Sequence, residues 1–213
     1  MARASTKSGQ PKKQSYHHGD LPRALVGAAL ELIETRGPEG FTLREAAASV
    51  GVTHGAAYRH FEDKTALLAV VAEEGYRALA ARLAEVASSS EAQPRARIKA
   101  LASAYVEFAL ERPAHYRVMW GPRFNEHKRF PSLEAAIGEV LSIVTGEMQR
   151  GQAAGVFRRT PAARDLALAM WVAGHGYVEL VARRRLKVKS QRVAIEYFHT
   201  LFEPFFDGLT TKR

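Results

Sequence analysis

The sequence predicts an all-α fold, with a three-helix N-terminal head joined to a larger helical body. Three observations carry this expectation. Apolar residues recur at helical spacing along nearly every segment, and no run alternates apolar and polar residues as a half-buried strand would. Gly and Pro interrupt the pattern at helix-length intervals. Two short segments near the N terminus each begin on a side chain suited to cap a helix. The 213 residues, 46% of them hydrophobic, suffice for a small head on a sizeable body.

Residues 1–19 are polar and basic, with Arg3, Lys7, Lys12 and Lys13 and no acid before Asp20, and are expected to form a flexible arm. Leu25, Ala28, Ala29, Leu32 and Ile33 then form one apolar stripe, with Asp20 placed to cap the helix and Gly37 to stop it. Thr42-Leu43-Arg44-Glu45 has the form of a capping box, in which the Thr hydroxyl takes the third helical amide and Glu45 reaches back to the Thr42 amide. Gly51 supplies a turn residue able to adopt positive φ, and Thr53 offers a second N-cap for a helix of about two turns. A capped helix, a Gly-containing turn and a second capped helix make a helix-turn-helix, placed at about residues 42–60.

The second of these helices suits a DNA groove. Thr53, His54, Gly55, Ala56 and Ala57 are small or polar at the end that meets base edges in such motifs, while Tyr58, His60 and Lys64 offer groups for phosphates. The competing reading is an ordinary helical hairpin with Tyr58 and Phe61 in its core. Charge does not decide between them. The net charge is +9, yet residues 1–65 carry nine Lys/Arg against seven Asp/Glu, and the densest basic run is Arg183, Arg184, Arg185, Lys187 and Lys189.

The stretch Phe41-Thr-Leu-Arg-Glu-Ala-Ala, then Gly51-Val-Thr, then Tyr58-Arg-His-Phe-Glu-Asp-Lys64 with Leu67-Leu68, resembles the signature of TetR-type regulators. The resemblance covers roughly residues 21–70. It implies an all-helical homodimer whose first three helices bind DNA and whose body senses a small molecule. Carried over by position, Thr42, Arg44, Thr53, Tyr58, His60 and Lys64 would touch DNA, and Ala46, Val50, Val52 and Phe61 would pack the head. The preceding Tyr16-His17-His18-Gly19 reads as an arm folding over the DNA backbone, or as a metal site that no Cys or close carboxylate pair supports.

The head is assigned to residues 20–66 and the body to 67–213, with no Pro/Gly/Ser linker between them. A long helix from about Asp63 fades into Ser88–Ser90. Pro94 opens a helix carrying Ile98, Leu101, Tyr105 and Phe108, closed by Pro113. A short helical piece with Tyr116, Met119 and Trp120 ends at Gly121-Pro122. Residues 123–131 read as a loop, and three further helices follow at about 132–151, 161–184 and 190–209.

Trp171, His175 and Glu179 lie four apart on one helical face. His175 can anchor a pocket, pack structurally, or join Glu179 in metal binding or acid–base chemistry. Trp171, His175 and Gly176 also resemble a TetR subgroup named for its Trp-His-Gly motif, which implies a ligand-binding, dimerising body. Expected effector-binding residues are Tyr105, Phe108, Trp120, Phe124, Trp171 and His175, with Met119, Ile137, Leu141 and Met170 as further candidates and Trp120 as a gate. In the last helix Val193, Tyr197, Leu201 and Phe205 form one apolar stripe and Ile195, Phe198, Phe202 and Leu209 broaden it. That width suggests one partner within the chain and one across a dimer built from the last two helices.

The absence of cysteine excludes disulfides, thiolate catalysis and cysteine-ligated zinc. No stretch approaches the roughly 20 apolar residues of a membrane span, and the start lacks the apolar core of a secretory signal, so a cytoplasmic protein is expected. Gly-x-Ser-x-Gly, a phosphate-cradling Gly-rich loop and His-Glu-x-x-His are all missing, and neither enzyme activity nor a metal or other cofactor is expected. The leading expectation is a repressor released from a near-palindromic operator by a small molecule. The alternative is a nonspecific architectural DNA-binding protein.

Overall fold

The computed structural model describes residues 20–88, 93–121 and 128–210, and every regular element among them is a helix. In chain order these are α1 (Leu21–Arg36), α2 (Leu43–Ser49), α3 (His54–Tyr58), α4 (Lys64–Ser88), α5 (Pro94–Glu111), α6 (Pro113–Met119), α7 (Pro131–Ala153), α8 (Ala163–Ala182) and α9 (Gln191–Leu209). The basic arm and its His17-His18 pair lie outside the described residues, as do Phe124 and most of the 123–131 loop.

Local chemistry sets the head's boundaries. At the end of α1, Gly37 takes φ +78° and returns its amide to the Ile33 carbonyl at 2.9 Å. Asp20 occupies the N-cap of α1, but its side chain makes no capping hydrogen bond and instead faces Arg23 at 3.7 Å, so the expected carboxylate cap is corrected to a loose ion pair. The capping box of α2 is complete. Thr42 Oγ1 accepts the Glu45 amide at 3.2 Å, and Glu45 Oε2 accepts the Thr42 amide at 2.8 Å. Gly51 turns the chain with φ +73°, in the left-handed region that glycine alone enters without strain. Thr53 then accepts the Ala56 amide at 3.3 Å and starts α3.

The apolar core runs without a break from the head into the body. Leu25, Ile33, Leu43, Ala46, Ala57 and Phe61 share it with Leu67 and Leu68 at the start of α4, and α4 continues through Val71, Leu79 and Leu83. Head and body are thus joined by one helix and one core, with no gap at residue 66. In the body α5 is the central element, packed against α4, α6, α7, α8 and α9 and buried around most of its circumference. Glu147 of α7 is buried and paired with Arg97 of α5 at 3.0 Å and with Arg150, which locks α5 to α7. Burial of such a carboxylate is tolerable only with partners of this kind.

On α8 and α9 one face turns inward through Leu166, Met170, Tyr177, Phe198 and Phe206, while Val172 (61% exposed), Leu180, Tyr197 and Leu201 stand out in solvent. No described helix is long and apolar enough to cross a membrane.

Candidate functional site

Three features of the fold carry chemistry: an outward face on the head, a cavity in the body, and a segment that touches both. On the head, Arg44, Thr53, His54, Gly55, Tyr58 and His60 are exposed and Ala56 is half-exposed. Tyr58 leaves 49% of its surface free and meets His54 edge-on at 5.4 Å. The space around Gly55 is open, so no packing demand explains its lack of a side chain. It leaves α3 with a low outer surface that another polymer can approach closely.

Two head residues depart from expectation. Ala57 is fully buried, because α3 turns that position onto the head core, and it is removed from the DNA-facing set. The Lys64 ammonium donates to the carbonyls of Phe41 (3.0 Å), Pro38 (3.2 Å) and Glu39 (3.5 Å) and lies over the Phe41 ring, so a phosphate would compete with three carbonyls for it. Thr42 remains exposed with its hydroxyl held by Glu45 Oε2 at 2.9 Å. The Thr42 hydroxyl and amide, with Arg36 beside them, hold the Glu45 carboxyl below its usual range.

The cavity measures about 160 Å³ and lies among α4 to α9. Tyr76 and Leu83 line it from α4, Leu101, Ala102 and Tyr105 from α5, and Trp120 from the end of α6. Ile137, Val140, Leu141 and Val144 of α7, Ala167, Leu168, Met170, Trp171 and Gly174 of α8, and Phe198 of α9 complete the wall. Of the expected effector residues, Tyr105, Trp120 and Trp171 are therefore brought together. His175 sits behind the wall, packed against Trp120, Trp171 and Tyr116. Phe108 is corrected. It is buried off the cavity, under the guanidinium of Arg112, because that face of α5 turns elsewhere.

A short polar relay backs the apolar wall. The Tyr105 hydroxyl donates to Tyr116 Oη at 3.4 Å, and Tyr116 Oη lies 2.6 Å from His175 Nδ1. A neutral His175 protonated on Nε2 accepts the Tyr116 proton, giving one consistent direction along the relay. Burial pushes the phenols of Tyr76, Tyr105 and Tyr116 well above the usual tyrosine range, and it pushes the imidazole of His175 down despite the nearby Glu179 carboxylate. Glu179 pairs with Arg183 at 2.7 Å, and no group of three potential metal ligands occurs among the described residues. The indole N–H groups of Trp120 and Trp171 are buried with no hydrogen-bond partner among the described residues. The Trp171 N–H lies close enough to Tyr105 to offset part of its burial effect, but without hydrogen-bond geometry.

The third feature was not legible in the sequence. α6 presents Tyr116 to the relay and ends at Trp120 on the cavity, while Arg117 between them donates to the last-turn carbonyls of α1, Ile33 at 3.1 Å and Glu34 at 3.2 Å. Where the chain re-enters α7, Arg129 pairs with Glu62 at 2.6 Å and Asp63 at 3.1 Å, and Asp63 itself caps α4 by accepting the Ala66 amide at 2.8 Å. The α6 backbone is pinned to α4 by Tyr76, whose hydroxyl donates to the Met119 carbonyl at 2.9 Å. A Cβ added at Gly75 would sit 2.6 Å from Met119 Sδ and 3.2 Å from His115 Cβ, so α4 and α6 pack closely there and a side chain would force Met119 to shift.

Comparison with known proteins gives this arrangement relatives. A family model described as bacterial regulatory proteins, tetR family, matches residues 25–71. A second, described as the tetracyclin repressor-like C-terminal domain, matches residues 98–203. No curated protein sequence matches the chain. Among solved structures, a protein with unknown function from Rhodococcus sp. RHA1 is 32% identical with TM-score 0.78, over 93% of this chain and 100% of that one. A bacterial regulatory protein in the tetR family from Rhodococcus RHA1 is 21% identical with TM-score 0.71, over 92% and 100%. The ketosteroid transcriptional regulator KstR2 of Mycobacterium tuberculosis is 19% identical with TM-score 0.68, over 92% and 98%, a likeness of fold.

Proposed function

This chain belongs to the TetR family of bacterial regulatory proteins, and we propose that it is a repressor released from a near-palindromic operator by a small-molecule effector. Residues 20–66 form the DNA-binding head and 67–213 the effector-binding and dimerisation body. Thr53, His54, Gly55 and Ala56 approach base edges, while Thr42, Arg44, Tyr58 and His60 hold phosphates. The partner subunit is a second copy docked on α8 and α9, where Val172, Leu180, Tyr197 and Leu201 leave apolar surface uncovered. A two-fold dimer of this kind sets two α3 helices on successive major-groove faces about 34–36 Å apart.

The single observation that supports release by an effector is the continuity from cavity to head. Trp120 lines the cavity, Arg117 three residues earlier grips the end of α1, and Arg129 grips the start of α4. A ligand that moves Trp120 therefore acts on α6, which Arg117 bonds to the end of α1. Spacing of the two heads then shifts between DNA-competent and incompetent populations.

Selection of bound duplexes from random DNA, followed by titration of the winning site and a scrambled duplex across salt concentrations, tests the reading. The expected result is a near-palindrome preferred over the scrambled duplex at every salt concentration. Equal binding to both, with the same salt slope, would replace it with a nonspecific architectural role.

A further inference from the structure

We infer that the cavity takes a small, uncharged, one-ring hydrocarbon carrying a single carbonyl group, recognised by the indole N–H groups of Trp120 and Trp171. This rests on the reading of the cavity as the effector site and names the chemistry of its ligand. Three independent properties of the wall lead there.

The first is size. Apolar cavities of roughly 150 Å³ stay dry and accept a benzene ring, so about 160 Å³ holds one six-membered ring with a short substituent, about nine heavy atoms. The second is charge. None of the residues lining the cavity is ionisable except Tyr76 and Tyr105, and burial keeps both phenols protonated. A carboxylate entering would lose its hydration and meet no cation, and an ammonium would meet no carboxylate.

The third is the unmet donors. An indole N–H can only donate, and those of Trp120 and Trp171 are buried without an acceptor, on rings whose centroids lie 5.0 Å apart. The neighbouring phenol oxygens could accept, but neither indole N–H has hydrogen-bond geometry to one, although that of Trp171 approaches Tyr105 Oη. A ligand carbonyl brings the acceptor with an apolar body attached, and hydrocarbon alone leaves the donors unmet.

The chain contains two tryptophans, and both line the cavity, so the full-length ¹⁵N-labelled protein reports occupancy through two indole N–H signals. Three probes of nearly equal shape are titrated at pH 7.5 without DNA: cyclohexyl methyl ketone, isopropylcyclohexane and cyclohexanecarboxylate. The ketone is expected to move at least one indole proton downfield, the hydrocarbon to leave both without a downfield shift, and the carboxylate to bind at least about a hundredfold more weakly than the ketone. Trp120→Phe should weaken the ketone about tenfold more than it weakens the hydrocarbon, the hydrocarbon accounting for lost packing. Carboxylate binding equal to that of the ketone, or ketone entry with neither indole moving downfield, overturns the inference, as does no ketone binding. If the variant does not fold, the three titrations of the unaltered protein decide alone. Because no DNA is present, failure here leaves operator recognition standing, and a failed operator selection leaves this result standing.

Discussion

Arg117→Met is the substitution that separates sensing from binding. It keeps most of the aliphatic stem and removes the guanidinium that bonds the Ile33 and Glu34 carbonyls at 3.1 and 3.2 Å. Those carbonyls belong to the last turn of α1, where the helix dipole favours a cation. A charge-assisted hydrogen bond contributes about 1.5–3 kcal/mol when buried. Arg117 is largely exposed and its carbonyl acceptors can turn to water, so the pair together contributes about 1–2 kcal/mol. Denaturant unfolding should register that loss as a lower midpoint with an unchanged slope. Ligand affinity of the DNA-free protein should stay within about twofold, because Arg117 does not line the cavity. The factor by which ligand weakens operator binding should fall by about fivefold to twentyfold, the equivalent of about 1–1.8 kcal/mol of coupling. A variant that loses stability yet retains the full coupling factor would refute the assignment of Arg117 as a link.

Three further outcomes are expected. Tyr58→Phe should weaken selected and scrambled duplexes alike in anisotropy titrations, whereas changes at Thr53 or His54 should alter which duplexes are selected; identical behaviour of the two classes contradicts the division of the α3 face. Leu201→Asp, which sets a charge in the exposed stripe of α9, should shift sedimentation toward the monomer and leave the helical signal intact. For pH, burial lowers the pKa of both His115 and His175, so the unfolded chain binds their protons more readily. Stability from these residues is full above their ordinary value near 6.5 and is lost as pH falls below it. The carboxyls held low, among them Glu45, Asp63 and Glu73, keep their contribution until pH nears the ordinary carboxyl range, while burial-raised Glu74 runs the opposite way. Thermal melts from pH 7.5 to 5.5 should therefore show a steeper loss in the native sequence than in the His115→Gln/His175→Gln pair, and equal slopes would contradict it.

What could be read in advance follows the range of the interactions. Thr42, Glu45, Gly51 and Thr53 act within three or four residues of themselves, and the structure places their caps and turn where the sequence does. Helical spacing likewise locates α4 to α9 to within a few residues. Which face of a helix turns inward depends on neighbours that spacing does not name, so Ala57 fell to the head core and Phe108 away from the cavity. Tyr105, Trp120 and Trp171 were identifiable as aromatic side chains on middle helices. Their relation to Tyr116 was not, because Tyr116 meets His175 across 59 positions. Arg117 and Arg129 gave no local signal at all, since their partners lie more than 60 residues away and exposed arginines are common.

In the proposed mechanism, cavity and head are two ends of one equilibrium. Linkage requires that if a ligand weakens operator binding, the operator weakens ligand binding by the same factor. The measurement is the affinity of the dimer for a ligand that enters the cavity, read from the Trp120 and Trp171 indole signals or by calorimetry, first free and then with saturating operator duplex. Affinity should be lowered by at least about fivefold on the operator, a typical lower bound for such coupling, and restored when scrambled duplex replaces it. Equal affinity in all three states would contradict the mechanism.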